Sequence, residues 1–259
     1  MPSGRAWFTI SANLLEHSIA TQKIGIVTRI TEQLADLTAR IQAAAARAER
    51  DAASVQLLAA SKTQSVQTVR AAWNAGIRHF GENYVQEALT KIPEFDEELT
   101  WHFIGRIQSN KTRQIAAHFD WVHTLCDQHI AERLSRQRPD EAGELQICIQ
   151  VRPLNAASRS LDHRGGIPEA KLPELASIVS NLPHLHLRGL MMMPLPDQTE
   201  ELTRMEYART RRAFHELRKS GYGLDTLSMG MSNDLEVAIM EGSTMLRIGT
   251  ALFGPRDND

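Results

Sequence analysis

Residues 56–64, QLLAASKTQ, run as apolar sequence up to Lys62 and then break, with helix-forming sequence resuming a few residues later. A lysine closing a buried strand is an ordinary surface residue unless its amine is needed at the strand's mouth. At a free pKa of about 10.4 only about one amine in two thousand is neutral at pH 7, so a lysine that must attack a carbonyl needs partial burial or a cationic neighbour. Arg247 is the candidate neighbour. Two further stretches offer a place for an anion. SMGMSND supplies Gly230 and the hydroxyl of Ser232 directly ahead of a helical pattern, and RIGTALFG supplies Gly249 and Thr250. Glycine-opened turns and helix N-termini present several N–H groups at once, as a phosphate requires. Either turn alone is also what an ordinary connection looks like.

Those residues need elements to position them, and the pattern supplies a regular set. From Val27 the apolar positions Val27, Ile30, Leu34, Leu37, Ile41, Ala44 and Ala48 advance in steps of three and four, one stripe of a helix packed on a core. Thereafter strand-like runs (VQLLAASK, HFGEN, TWHFIG, WVHTL, LQICIQV, LHLRGLMMM, TLSMG, MLRIGTALF) alternate with amphipathic patterns at 66–74, 84–91, 111–118, 129–136, 168–181, 200–219 and 234–241. Eight strands separated by seven helices and preceded by one more predict an α/β protein, a single-domain (β/α)8 TIM barrel with an additional N-terminal helix. An open doubly wound sheet is the alternative, and it lacks its usual glycine-rich turn here. In such barrels the active site lies at the C-terminal strand ends, with phosphate held after strands seven and eight, where Ser232, Gly249 and Thr250 fall. The expected domain limits are a loose extension over 1–23, the barrel over 24–256 and a tail over 257–259. RPLNAASRSLDHRGG is too long for an ordinary barrel loop and is a candidate lid or binding loop.

Composition narrows the function classes. A 42% hydrophobic and 23% charged chain of 259 residues is long enough for one large core, and a net charge of −2 lacks the basic footprint of a nucleic-acid binder. Arg209, Arg211 and Arg212 sit in a charged helical pattern and are expected to form a solvated face. No stretch approaches the roughly 20 apolar residues of a membrane span. Two cysteines, Cys126 and Cys148, suit a reducing cytoplasm, with Cys148 in the core. His123, Cys126 and His129 fall at steps of three, but the first belongs to a strand, so no metal site is expected. Met191 to Met193 read as barrel lining, and His184 and His186 as surface and edge.

Six ordered blocks, ASKTQ (60–64), FGENYVQEA (80–88), WHFIGRIQSNKTR (101–113), LRGLMMMP (187–194), LSMGMSNDLEVAI (227–239) and GSTMLRIGTALFG (242–254), resemble the pyridoxal phosphate homeostasis proteins, which are similar to the barrel domain of alanine racemase. The likeness covers about residues 25 to 256. It implies that Lys62 forms the internal aldimine with pyridoxal 5′-phosphate, that Ser232, Gly249 and Thr250 hold the phosphate, that Asn83 lies beside the ring, and that Arg247 approaches the pyridine nitrogen. An arginine there only donates, keeping that nitrogen unprotonated and the ring a poor electron sink.

The resemblance implies a cytoplasmic vitamin B6 homeostasis protein without established turnover. Its expected partners are pyridoxal phosphate and amino acids, with transient contact to apo-enzymes as a further expectation. No nucleic acid or membrane is expected, and the protein is expected to be a monomer, with a weak dimer as the alternative. No second domain bringing a second acid/base is expected after the eighth strand. The rival from another class is an enzyme, a pyridoxal phosphate-dependent racemase or a lysine Schiff-base aldolase; a third is a structural barrel docking partners through its first helix. Cys126, Arg152, Arg159 and Arg106 depart from the family pattern on the loops after strands three to five, making that rim more basic and suggesting an anionic ligand there.

Overall fold

The computed structural model describes residues 5–95, 99–154 and 165–255, with side chains from residue 24 onward. Eight strands, β1 (Gln56–Ala60), β2 (His79–Glu82), β3 (Thr100–Phe103), β4 (Trp121–Leu125), β5 (Leu145–Val151), β6 (Leu185–Met192), β7 (Thr226–Ser228) and β8 (Met245–Ile248), follow one another round a closed barrel. All neighbours run parallel, and closure comes from β8 pairing with β1 through Gln56↔Met245 to Ala59↔Ile248. Parallel strands covered on both faces cannot alternate apolar with polar residues, which is why β4 and β8 are buried at every position.

The helices are α1 (Arg5–Arg47), α2 (Val66–Asn74), α3 (Val85–Lys91), α4 (Thr112–His118), α5 (Gln128–Gln137), α6 (Leu172–Asn181), α7 (Glu200–Lys219), α8 (Leu235–Met240) and α9 (Thr250–Phe253). Side-chain caps start several of them: Ser65, Asp127 and Thr199 accept the orphan N–H groups of Thr68, Ile130 and Leu202. The predicted stripe is the buried face of α1, with Ile30, Leu37, Ile41 and Ala44 in the core, each contributing roughly 1 to 3 kcal/mol of apolar burial. On its other side Arg40 pairs with Glu236 of α8 at 2.7 Å and donates to the Ser232 carbonyl at 3.1 Å, so this helix reaches the loop after β7.

Four expectations need correction. The first helix begins at Arg5, inside the stretch 1–23 read as an extension. Strand β1 stops at Ala60, so Lys62 stands in the turn beyond it. The sequence TALF, read as part of the last strand, forms α9, because Gly249 ends the ladder and lets the chain coil. Arg209 is not on a solvated face: it is largely buried, pairs with Glu206 at 2.9 Å and Glu169 at 3.2 Å, and donates to the Arg152 carbonyl. The candidate lid falls mostly on 155–164, outside the described residues, as does Arg159; its far end is pinned where Ile167 bridges to Val151. Among the described residues no helix is long and apolar enough to cross a membrane.

Candidate functional site

Lys62 lies in the tight turn between β1 and α2 and lines a cavity of about 850 Å³ at the C-terminal ends of β2 to β6. Asn83, Tyr84, Gly105, Arg106, Thr124, Cys126 and Gln150 share that wall. The turn is held from outside the cavity. Lys91, buried on α3, donates from Nζ to the Ser61 carbonyl (2.8 Å), to Glu82 Oε1 (2.8 Å) and to Glu87 Oε1 (2.6 Å). Ser61 donates its hydroxyl to the same Glu82 oxygen at 2.6 Å, and the Thr63 N–H donates to Glu87 Oε1 at 2.5 Å. Thr63 sits at φ 66°, a left-handed conformation costing a non-glycine residue about 1 kcal/mol or more. Burial raises the Glu82 carboxyl above its usual range, against the opposing pull of Lys91, and its Oε2 has no hydrogen-bond partner among the described residues.

Asn83 follows Glu82 into the cavity wall, and its Oδ1 is likewise buried without a partner among the described residues. The close approach that seats it explains Gly105: a Cβ there would stand 2.0 Å from the Asn83 carbonyl oxygen, and neither backbone can yield.

The two loops expected to hold an anion are joined directly. Ser232, after β7, accepts the Ala251 N–H on its Oγ at 3.0 Å, so the hydroxyl stands against the first turn after β8. Gly230 makes the bend into this loop with φ 92° and packs so closely on Ala238 and Leu246 that a side chain has no room. Asp234 fastens the same loop, accepting from Met231 N–H and from the buried Tyr207 hydroxyl, whose pKa burial drives well above its usual value. Gly249 lies against Ala60, its Cβ position 3.6 Å from that carbonyl, and Thr250 follows as the first residue of α9. The seam between β8 and β1 therefore sets Gly249 and Thr250 beside the strand end that carries Lys62. Ser232, Arg247, Gly249 and Thr250 are not among the residues lining the Lys62 cavity itself.

Arg247 is buried inside the barrel. Its Nη1 donates to the Ser228 carbonyl (2.6 Å) and hydroxyl (2.7 Å), and Nη2 to the Met192 carbonyl (2.9 Å). From Ser228 the hydrogen bonds continue across the interior: Ser228 Oγ to His123 Nδ1 (2.8 Å), His123 Nε2 to His102 Nδ1 (2.9 Å), His102 Nε2 to His79 Nδ1 (2.9 Å). Arginine has no acceptor, so the Ser228 oxygen accepts from it, and the hydroxyl proton finds its acceptor at His123. That choice sets every tautomer in turn, with each Nε2–H pointing away from Arg247. Burial holds all three imidazoles neutral, His102 well below its ordinary pKa and His123 down to about 3, with Arg247 adding to the His123 effect. His79, half-buried, borders a second cavity between α1 and the opening ends of β1 and β2.

The structure thus groups Lys62 with Asn83, and Ser232 with the β8–α9 turn, while Arg247 stands inside the barrel at the C-terminal ends of β6 and β7. Sequence reasoning missed Lys91, Glu82, Glu87 and the histidine chain. The available signal was a polar residue in mid-strand, as in WHF and VHT. His123, Cys126 and His129 do not converge, the first being barrel interior and the last exposed on α5. Cys148 is core, its thiol pushed up to about 12 by burial, and packs with Trp121 and Met191. Arg152 turns its Nε to the Gly166 carbonyl at 3.2 Å, while Arg106 is exposed on the rim of the Lys62 cavity.

Residues 33–257 match the family model described as alanine racemase, N-terminal domain. The pyridoxal phosphate homeostasis protein of Pseudomonas aeruginosa is 53% identical over 232 residues, 89% of this chain and 97% of that protein. The protein of the same name from Escherichia coli is 48% identical over 233 residues, covering 88% and 97%. Among solved structures, PipY of Synechococcus elongatus with pyridoxal phosphate bound superposes at a TM-score of 0.75 and 37% identity, covering 87% of this chain and 100% of that one.

Proposed function

Because the chain belongs to the alanine racemase N-terminal domain family and, within it, to the pyridoxal phosphate homeostasis proteins, we propose that it binds pyridoxal 5′-phosphate reversibly through Lys62 and serves vitamin B6 homeostasis as a holder of the cofactor. The observation that carries the assignment is the β8–β1 seam: Gly249 lies against Ala60, two residues before Lys62, and the adjoining Ala251 N–H is tied to Ser232. An amine and an anion cradle side by side fit a phosphorylated aldehyde. The orphaned Oδ1 of Asn83 and the donor-only guanidinium of Arg247 add groups suited to the ring's edge.

Bound pyridoxal phosphate supplies an electrophilic aldehyde carbon to which a primary amine adds reversibly with loss of water. Lys62 offers that amine from the cavity wall. Ser232 with the backbone of Gly249 and Thr250 would grip the phosphate, Asn83 would flank the ring, and Arg247 would donate toward the pyridine nitrogen. Arg247 has donors and no acceptor, so beside the pyridine nitrogen it would leave that nitrogen unprotonated. Amino acids entering the cavity of about 850 Å³ would compete with Lys62 for the aldehyde. Transfer to apo-enzymes by a monomer in a reducing cytoplasm, where Cys126 and Cys148 stay free, completes the reading.

Titration with pyridoxal phosphate tests it: a yellow absorbance band forms with the wild-type protein and fails to form with Lys62→Ala. An unchanged band in Lys62→Ala overturns the assignment. Exchange of an amino acid's α-proton for deuterium at an enzyme's pace would move the reading to a racemase.

A further inference from the structure

Among the described residues, the side-chain hydrogen bonds that Lys91, Glu82 and Glu87 make outside their own cluster land on the residues that flank Lys62. Lys91 Nζ takes the Ser61 carbonyl, Glu82 takes the Ser61 hydroxyl, and Glu87 takes the Thr63 N–H, while the ammonium ties both carboxylates together. Burial of Ser61, Glu82 and Lys91 at 0%, 0% and 3% exposure means that water cannot substitute for a lost partner. Thr63, by contrast, is exposed and carries a left-handed φ, in a turn whose own hydrogen bonds run from the Thr63 hydroxyl to the Lys62 carbonyl and from the Gln64 N–H to the Ser61 carbonyl. A turn of this kind relaxes unless its neighbours over-determine it.

We propose that Lys91, with Glu82 and Glu87, is a positioning device for Lys62, clamping the peptide groups before and after it so that the Lys62 amine is held at the cavity wall. The clamp acts through the backbone and touches neither the amine nor the cofactor. Lys91 belongs to α3 and Glu82 to β2, so the segment 82–91 positions a residue that it adjoins only in space. This rests on the assignment of Lys62 to pyridoxal phosphate.

The test compares wild type, Lys91→Gln, Lys91→Gln/Thr63→Asn and Glu87→Met. Asparagine tolerates the left-handed region better than threonine, so it restores part of the turn without restoring the clamp. Hydrogen exchange on the cofactor-free protein is read at the Thr63 amide against core amides of β4 and β8, and pyridoxal phosphate affinity is read by titration. The clamp predicts at least tenfold faster Thr63 exchange in Lys91→Gln with core amides unchanged, at least tenfold weaker pyridoxal phosphate binding, and partial recovery of both in the Thr63→Asn double variant. Should Lys91→Gln fail to fold, Glu87→Met, altered at a half-buried carboxylate, is expected to show the same local loosening. Wild-type Thr63 exchange and affinity in the variants that fold overturn the proposal. Colour retained by Lys62→Ala would instead overturn the assignment on which it rests.

Discussion

Behind the ends of β1 and β2, Glu82, Glu87 and Lys91 meet around a single ammonium; across the barrel interior, His79, His102 and His123 stand in series between a cavity on the floor and the Ser228–Arg247 pair. Both networks are buried and both anchor a residue expected to face the cofactor. They differ in how the burial is compensated. The first sets full charges against each other within 3 Å, so losing one partner strands another charge in a dry site. The second carries one cation, Arg247, and satisfies it with carbonyls, a hydroxyl and the aligned dipoles of neutral rings. A charge cluster is sensitive to substitution, whereas a neutral chain is sensitive to anything that would charge it.

Acid separates the two most strongly. Unfolded imidazoles take up protons below about pH 6.5, while the buried rings do not, His123 holding out to about 3. The unfolded state therefore binds more protons, and stability falls as pH drops from 6.5 toward 3. For His123 alone the loss reaches about 2 kcal/mol by pH 5, and His102 adds to it in the same direction, measurable together as a fall in the urea midpoint. Glu82 acts in the opposite sense: its raised pKa gives stability present below its ordinary range and lost as pH rises through its folded value. A urea midpoint flat from pH 7 to 5 would show that the histidines already carry charge.

Substitution reverses the ranking. Lys91→Met leaves the fully buried Glu82 without its cation and is expected to cost about 3 kcal/mol in urea unfolding, with much of it recovered in Lys91→Met/Glu82→Leu. Equal instability of single and double variants would show that Glu82 is already neutral. His123→Leu deprives Ser228 of its acceptor and His102 of its donor, an expected loss of about 2 kcal/mol with a shallower pH profile. At the small end, Arg40→Ala removes a pair whose side chains are 38% and 37% exposed; it should cost less than about 1 kcal/mol and be masked by salt.

The unequal legibility of the two ends of the site has a physical reason. Lys62, Gly230, Ser232 and Gly249 announce themselves because each breaks an apolar run where a strand must end, and chain order alone puts strand ends on one face of a barrel. Even so, the exact end was misplaced: TALF is as apolar as a strand, and only the lost pairing after Ile248 lets it coil. His102 and His123 sit in the middle of such runs, where a polar residue looks the same whether it meets water or a partner. Their partners lie on neighbouring strands, 21 residues apart, and Ser228 is 105 residues from His123. Lys91 reads as a helix-ending cation and Glu82 as one letter of a motif; what they hold, the turn around Lys62, appears only when α3 folds back against the residues that follow β1.

Borohydride reduction of the protein loaded with pyridoxal phosphate, followed by peptide mass spectrometry, bears most directly on the account. It predicts one pyridoxyl adduct, on the peptide containing Lys62. An adduct confined to another lysine, or none from a protein that has bound the cofactor, would contradict it.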